Sequence, residues 1–388
     1  MAIRSFAFLS TGAALALNAP LAAQPSSAVM AQTAAPAAGF AQFTPRPSGK
    51  PTKIDYSFFD DALKFMVIGM GQSTREGMGK PPPGMGTRMT YGHTSRVRLE
   101  GNRIVFSYLD EEAIAPLVEY RKDLERLGSE LDIASLPRSE QLAYWINLHN
   151  VAVIEQIAVN YPVRSPSRLE LGAGKTSLDE TPFITVGGVA MSPRDIRTKI
   201  VFPNWDNPNV IYAFFRGEVG GPSVQRRAFT GETVDEMLQS SGREFVNSLR
   251  GIEAYGSNLL VSQIYEEAAP FFFPAMADDF RAHILTHAND DVKDLVARKE
   301  GIKFNQYEDT IADLAAGKRE PSYSYIERDG IAQRTRVTQS VARLLGERAE
   351  KLEKLRREGL LRGRVIVLPP TATEQPAETA EAKDPEGV

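Results

Sequence analysis

The segment Ser139–Asn160, SEQLAYWINLHNVAVIEQIAVN, constrains this chain more than any other. Pro137, Ser139 and Glu140 form a helix start, and Tyr161-Pro162 forms a stop. At about 100° per residue its apolar side chains point in nearly every direction. Leu142, Trp145, Ile146, Leu148, Ala152, Val153 and Ile157 cover one side, and Ala143, Tyr144, Val151, Ile154 and Ala158 the other. A helix that is apolar all round must be buried, so the rest of the chain has to wrap it. Glu140, Asn147 and Asn150 lie within roughly 80° of one another inside the second apolar face. Burying them unpaired costs about a few kcal/mol each, so they require partners. Two roles are open: bonding the main chain of a neighbouring loop, or walling a pocket together with Tyr144. His149, Gln156 and Asn160 form a narrower stripe, expected to be the solvent edge.

Around this helix the pattern predicts an α+β fold: a helix-rich single domain around a small mixed or antiparallel sheet, with a C-terminal helical extension. A helix is expected over 112–128. A β-hairpin is expected over Arg96–Leu109 with Glu100-Gly101-Asn102 at its turn, and a second over Thr181–Ala190 with Gly187-Gly188 at its tip. Asn209–Phe215 reads as a buried strand, and helices dominate from Thr233 to Ala315. The stretch from Gly69 to Gly92 holds seven glycines and three consecutive prolines, a loop composition. It reads either as disordered or as a lid over a cleft.

The ends differ from the body. Residues 1–31 read as a secretory signal with a cleavage site after Ala23 or Ala31, its apolar stretch Phe6–Leu17 being too short to span a bilayer. Residues 32–52 read as a linker, 53–315 as the domain, 316–364 as an extension with a long basic amphipathic helix, and 365–388 as an acidic tail. The helix carries Val341, Leu345, Leu352 and Leu355 as an apolar stripe and is expected to pack along the domain. An exported, periplasmic or secreted protein without a transmembrane anchor is expected.

Composition excludes several chemistries. No cysteine occurs among the 388 residues, so disulfides, thiolate metal sites and a Cys nucleophile are out. A net charge of −4 does not suggest nucleic-acid binding. His283 and His287, four apart with Asp290 and Asp291 nearby, are the only thought of a surface zinc site; spacing of this kind is usually incidental, and neither a metal nor a cofactor is expected.

The run SEQLAYWINLHNVAVI ending at Tyr-Pro resembles the signature of the family called domain of unknown function 547. Its members carry Glu-x-x-Ala-aromatic-Trp-Ile-Asn-x-aromatic-Asn, with His149 here in the second aromatic place. Val186–Ile196, Asn207–Phe215 and Phe304–Tyr307 are similar to further family segments, so the resemblance extends over about 55–315. The resemblance implies a Cys-Gly-x-x-x-Cys-Pro loop where this chain has Arg216-Gly217-Glu218-Val219-Gly220-Gly221-Pro222. Arg216 and Gly221 replace the cysteines, Ile211 the strand His, and Arg197 a Glu. If the family uses that Cys, this chain lacks the route, and a non-catalytic binding or scaffold role in the cell envelope is favoured. The other reading is a hydrolase or transferase on envelope material, with a papain-like arrangement lacking the Cys nucleophile.

The same turn offers two further expectations. Gly217, Gly220, Gly221, Ser223 and Arg226 are candidates for an anion-binding turn between a strand and a helix starting at Pro222. Gly221 is expected at positive φ, and Ser223 is a remote nucleophile candidate lacking a nearby base in sequence.

Overall fold

The computed structural model describes residues 39–83, 88–318 and 337–360. The signal reading of 1–31, the first part of the linker and the acidic tail lie outside the described residues.

In chain order the elements are α1 (Ser57–Met66), β1 (Val67–Ile68), β2 (Arg103–Ile104), α2 (Glu111–Glu130), α3 (Arg138–Val159), β3 (Glu170–Leu171), β4 (Thr176–Ser177), β5 (Ile184–Val186) and β6 (Val189–Met191). Then come α4 (Pro193–Asp195), a π-helical turn (Ile196–Val201), α5 (Phe202–Asn204), a 3-10 helix (Pro208–Ala213) and α6 (Val234–Val246). The chain continues with β7 (Ile252–Tyr255), β8 (Asn258–Ser262), α7 (Ile264–Phe272), α8 (Met276–Leu285), α9 (Asp290–Arg298), β9 (Gly301–Gln306) and α10 (Gln339–Arg357). This is the expected α+β architecture.

The wrapped helix is α3. From Glu140 to Glu155 every residue is buried, Trp145 completely, with Phe43 edge-on at 5.0 Å between ring centroids. Full burial of each large apolar side chain contributes about 1.5–3 kcal/mol, so α3 is the centre of the core. Around it pack α2, α4, the π-helical turn and α6. The α2 helix starts on Asp110, whose carboxylate accepts from Ala113 N. The α4 helix starts on a capping box between Ser192 and Asp195. β5 and β6 form the expected hairpin, with Gly187 and Gly188 at φ 52° and 79°. The largest sheet is mixed: β7 pairs antiparallel with β8, and β9 runs parallel to β8.

Two local expectations are corrected and a third is refined. First, Arg96–Leu109 is not a hairpin; only Arg103–Ile104 is extended, and it pairs with β1. The alternation misleads because Arg98, Glu100 and Arg103, between the apolar residues, are buried too. Arg103 folds the segment around itself, Nη1 donating to Glu100 O and Nη2 to Arg98 O, both at 2.8 Å. Second, Asn209–Phe215 is buried but begins as a 3-10 helix. Asn207 Oδ1 accepts from Asn209 N at 3.0 Å and Pro208 fixes the first helical φ. Third, helices dominate 233–315 as expected, but they share it with the strands β7, β8 and β9.

The basic helix α10 packs along the domain through Val341, Leu344 and Leu355. Its cations bind main-chain carbonyls of the glycine-rich loop and its continuation. Arg348 Nε donates to Gly69 O at 2.6 Å, Arg343 Nη2 to Tyr91 O at 2.8 Å and Lys351 Nζ to Leu99 O at 2.7 Å. Arg98 and Glu347 close the seam as a bidentate pair at 2.7 and 2.9 Å. A segment too rich in Gly and Pro to form its own hydrogen-bonded structure is thus held by side chains of a helix.

Candidate functional site

The polar face of α3 binds main chain. Asn147 Nδ2 donates to Phe229 O at 2.7 Å while its Oδ1 accepts from Phe229 N at 3.0 Å. Asn150 Nδ2 donates to Ala213 O at 2.9 Å and its Oδ1 accepts from Phe215 N at 3.0 Å. Glu140 Oε2 accepts from Ile54 N at 3.5 Å, and its carboxyl also takes a hydrogen bond from the Gly231 backbone. A Cβ on Gly231 would sit 2.3 Å from Glu140 Oε1, so that approach requires glycine. Tyr144 Oη donates to Leu124 O at 2.8 Å. Glu140 also borders an open cleft, of about 300 Å³, beside Lys53, Asp60, Arg227 and Glu232.

Asn150 places Arg216. By gripping both Ala213 O and Phe215 N, it fixes the exit of the 3-10 helix. Gly217 follows at φ 83°, where a Cβ would come within 2.3 Å of Ile157 Cδ1. Arg216 Nη2 then donates to Glu267 Oε1 at 2.8 Å. Glu267 is shared. Arg197 Nε reaches its Oε1 at 2.8 Å and Nη2 its Oε2 at 3.0 Å. Arg197 also grips Asp179, Nη1 to Oδ1 at 2.8 Å and Nη2 to Oδ2 at 2.7 Å, and Nη1 donates to His149 Nε2 at 3.0 Å. All five N–H groups of the buried Arg197 guanidinium are therefore used. Two cations face two carboxylates, which is what burial of such charge requires.

His149 is corrected from solvent edge to full burial. Burial, then the adjacent Arg197, pushes its pKa down to about 3, so the ring is neutral. Burial alone would raise Glu267, but Arg216 and then Arg197 hold it at about 2. Asp179 lies well below the usual carboxylate range: Arg197 overrides burial there. No local pattern signals this network, because its members are scattered from 149 to 267 and meet only in the folded chain.

The 216–222 turn also differs from expectation. No helix begins at Pro222; residues 222–225 are irregular. Gly221 is not at positive φ, and Gly217 is. The amides expected to face an anion face carbonyls instead: Gly220 N donates to Glu308 O at 2.8 Å and Gly221 N to Glu218 O at 3.3 Å. Arg226 remains exposed. Ser223 Oγ accepts from Asn102 N at 3.2 Å and from Arg250 Nη2 at 3.0 Å, both donors and neither a base. Within the turn Glu218 is buried, accepts from Ser167 N at 2.7 Å, and has its pKa pushed by burial up to about 7.

His283 and His287 are buried rather than superficial. His283 Nε2 lies 2.8 Å from Tyr212 Oη and His287 Nε2 2.7 Å from Asn209 Oδ1, within an aromatic cluster. Among the described residues no group of three His, Asp or Glu side chains converges as a metal site would. No helix among them is long and apolar enough to cross a membrane.

Residues 133–246 match the model of a family described as "Protein of unknown function, DUF547". The resemblance read from the sequence thus holds over α3 to α6, a narrower span than 55–315. Comparison with curated proteins and with solved structures returns no match.

Proposed function

We propose that this chain is an exported, non-catalytic binding or scaffold protein of the cell envelope. One observation carries the non-catalytic part. At the position where the resemblance implies a cysteine stands Arg216, its Nη2 bound to Glu267 in a charge-balanced network with Arg197 and Asp179. A nucleophile needs a base within hydrogen-bond reach. Here the position of the implied His is Ile211, buried and apolar, and His149 has both ring nitrogens engaged by Arg197 and Asn150. The arrangement does what an ion-pair network does: it fixes the four segments that carry Asp179, Arg197, Arg216 and Glu267 rather than moving a proton. Export rests on the signal-like start of the sequence.

Two measurements test the reading. N-terminal sequencing of the mature protein should begin at Gln24 or Gln32; Met1 as the sole start overturns export. The purified mature chain should co-sediment with isolated cell-envelope material and leave no new soluble fragments on prolonged incubation. Time-dependent release of fragments, seen by mass spectrometry, overturns the non-catalytic reading.

A further inference from the structure

A second cleft, of about 580 Å³, opens beyond the C-terminal end of α3. Arg164, Arg168 and Lys318 contribute three cations to its lining, and among the described residues Asp309 is the only carboxylate there. That carboxylate is already engaged, by Ser165 Oγ at 2.8 Å and Arg168 Nη2 at 2.9 Å. The side chains of Arg164 and Lys318 have no ion-pair or hydrogen-bond partner among the described residues. Thr94, Thr310 and Asn160 add neutral polar groups to the walls.

The backbone beneath these cations is fixed on both sides. Ile311 N donates to Arg164 O at 2.9 Å, and Tyr161 Oη donates to Lys318 O at 3.2 Å. Gly317 N donates to the buried Asp313 Oδ2 at 3.1 Å. Gly317, at φ 71°, lies so close to Val163 that a Cβ would meet Val163 O at 1.8 Å. Ala316 is held at φ 55°, a conformation an L side chain rarely adopts, and the chain leaves that turn at Lys318. Backbone strain of this kind persists where the surroundings enforce it, and it gathers at ligand sites.

We infer that this cleft binds a phosphate ester borne on a hydroxyl-rich group of sugar size. Arg164 and Lys318 anchor the phosphate, one as a planar fork and the other as a point charge. The volume is far more than a bare phosphate fills and lies in the usual range of small-molecule sites. The donors of Thr310, Ser165 and Asn160 are used by Glu308, Asp309 and Gln156 O, which leaves their oxygens, with Thr94, to meet the hydroxyl groups as acceptors. The inference deepens the binding role proposed above and rests on it.

The test is calorimetric titration of the full mature chain with glucose 6-phosphate and with glucose, and sedimentation with phosphatidylglycerol vesicles. A soluble sugar phosphate as source is expected to give binding to glucose 6-phosphate; a lipid headgroup is expected to give binding to the vesicles. In either case R164A and K318A should each weaken binding by roughly 10-fold or more while leaving the unfolding midpoint unchanged. Absence of binding to both probes, affinity unaltered in both variants, or glucose binding as tightly as its phosphate overturns the inference. Conversion of glucose 6-phosphate to a new product during titration would overturn the non-catalytic reading and leave the binding site standing.

Discussion

Arg197 Nη1 donates to His149 Nε2 at 3.0 Å, which places the imidazole proton on Nδ1, where it faces Asn150 Oδ1 at 3.0 Å. One guanidinium thereby sets the tautomer of a buried ring, and that ring supports the amide that grips residues 213 and 215.

Arg197→Met should be among the most destabilising single changes, at about 3–5 kcal/mol, because it leaves Asp179 and Glu267 charged and short of partners. The triple variant D179N/R197M/E267Q should recover most of that loss. Urea unfolding followed by tryptophan fluorescence compares the three proteins. Equal loss in the single and triple variants would contradict the ion-pair account.

Glu267 predicts acid sensitivity. Its folded pKa, about 2, lies below the ordinary 4.5, so the stabilisation it provides is complete above 4.5 and is lost as pH falls towards about 2. E267Q should therefore show a shallower loss of stability over that window than the parent chain. Parallel slopes in pH-dependent unfolding would remove Glu267 from the explanation.

Glu218 predicts the opposite sign. Its folded pKa is raised from 4.5 to about 7, so the unfolded chain loses its proton first and stability declines as pH rises through that interval. E218Q keeps an acceptor for Ser167 N without the buried charge. It should flatten the decline and add on the order of 1–3 kcal/mol at pH 8. Thermal melts at pH 5 and pH 8 measure the difference, and an E218Q protein less stable than its parent at pH 8 would refute it.

Asn147→Ala and Asn150→Ala should each lower stability by roughly 1–3 kcal/mol for each buried main-chain group left without a partner. Asn150 has His149 as a third partner, so its replacement is expected to cost at least as much as that of Asn147. That reverses the order expected if Asn150 lay at the edge of a ligand site. Chemical denaturation of the two variants side by side decides it.

Gly217→Ala should destabilise strongly, through its positive φ and the Cβ approach to Ile157, whereas Gly221→Ala should be mild because its nearest neighbours lie at 3.5 Å, ordinary contact. Comparable melting losses in both would contradict this assignment of the turn.

The buried helix, its polar face and the 187–188 hairpin were legible because each is a local pattern with a single physical solution. The β7–β8 hairpin also has a local signal, Gly256-Ser257 between two short apolar runs, masked by the helical pattern that surrounds it. The 3-10 helix at 208 had a signal in Asn207-Pro208, outweighed by the apolar run after it. The clamp of α10 on the glycine loop joins residues about 250 or more positions apart, as Arg343 with Tyr91 shows, and no local pattern specifies such a pairing.

Glu140, Asn147 and Asn150 spend their polar atoms on the backbones of three separate stretches: Ile54, Ala213–Phe215 and 229–231. The run of this chain that resembles the DUF547 signature is therefore a piece of scaffolding. A likeness read from this helix is a likeness of frame, and this chain's chemistry is judged from what stands at positions such as 211 and 216.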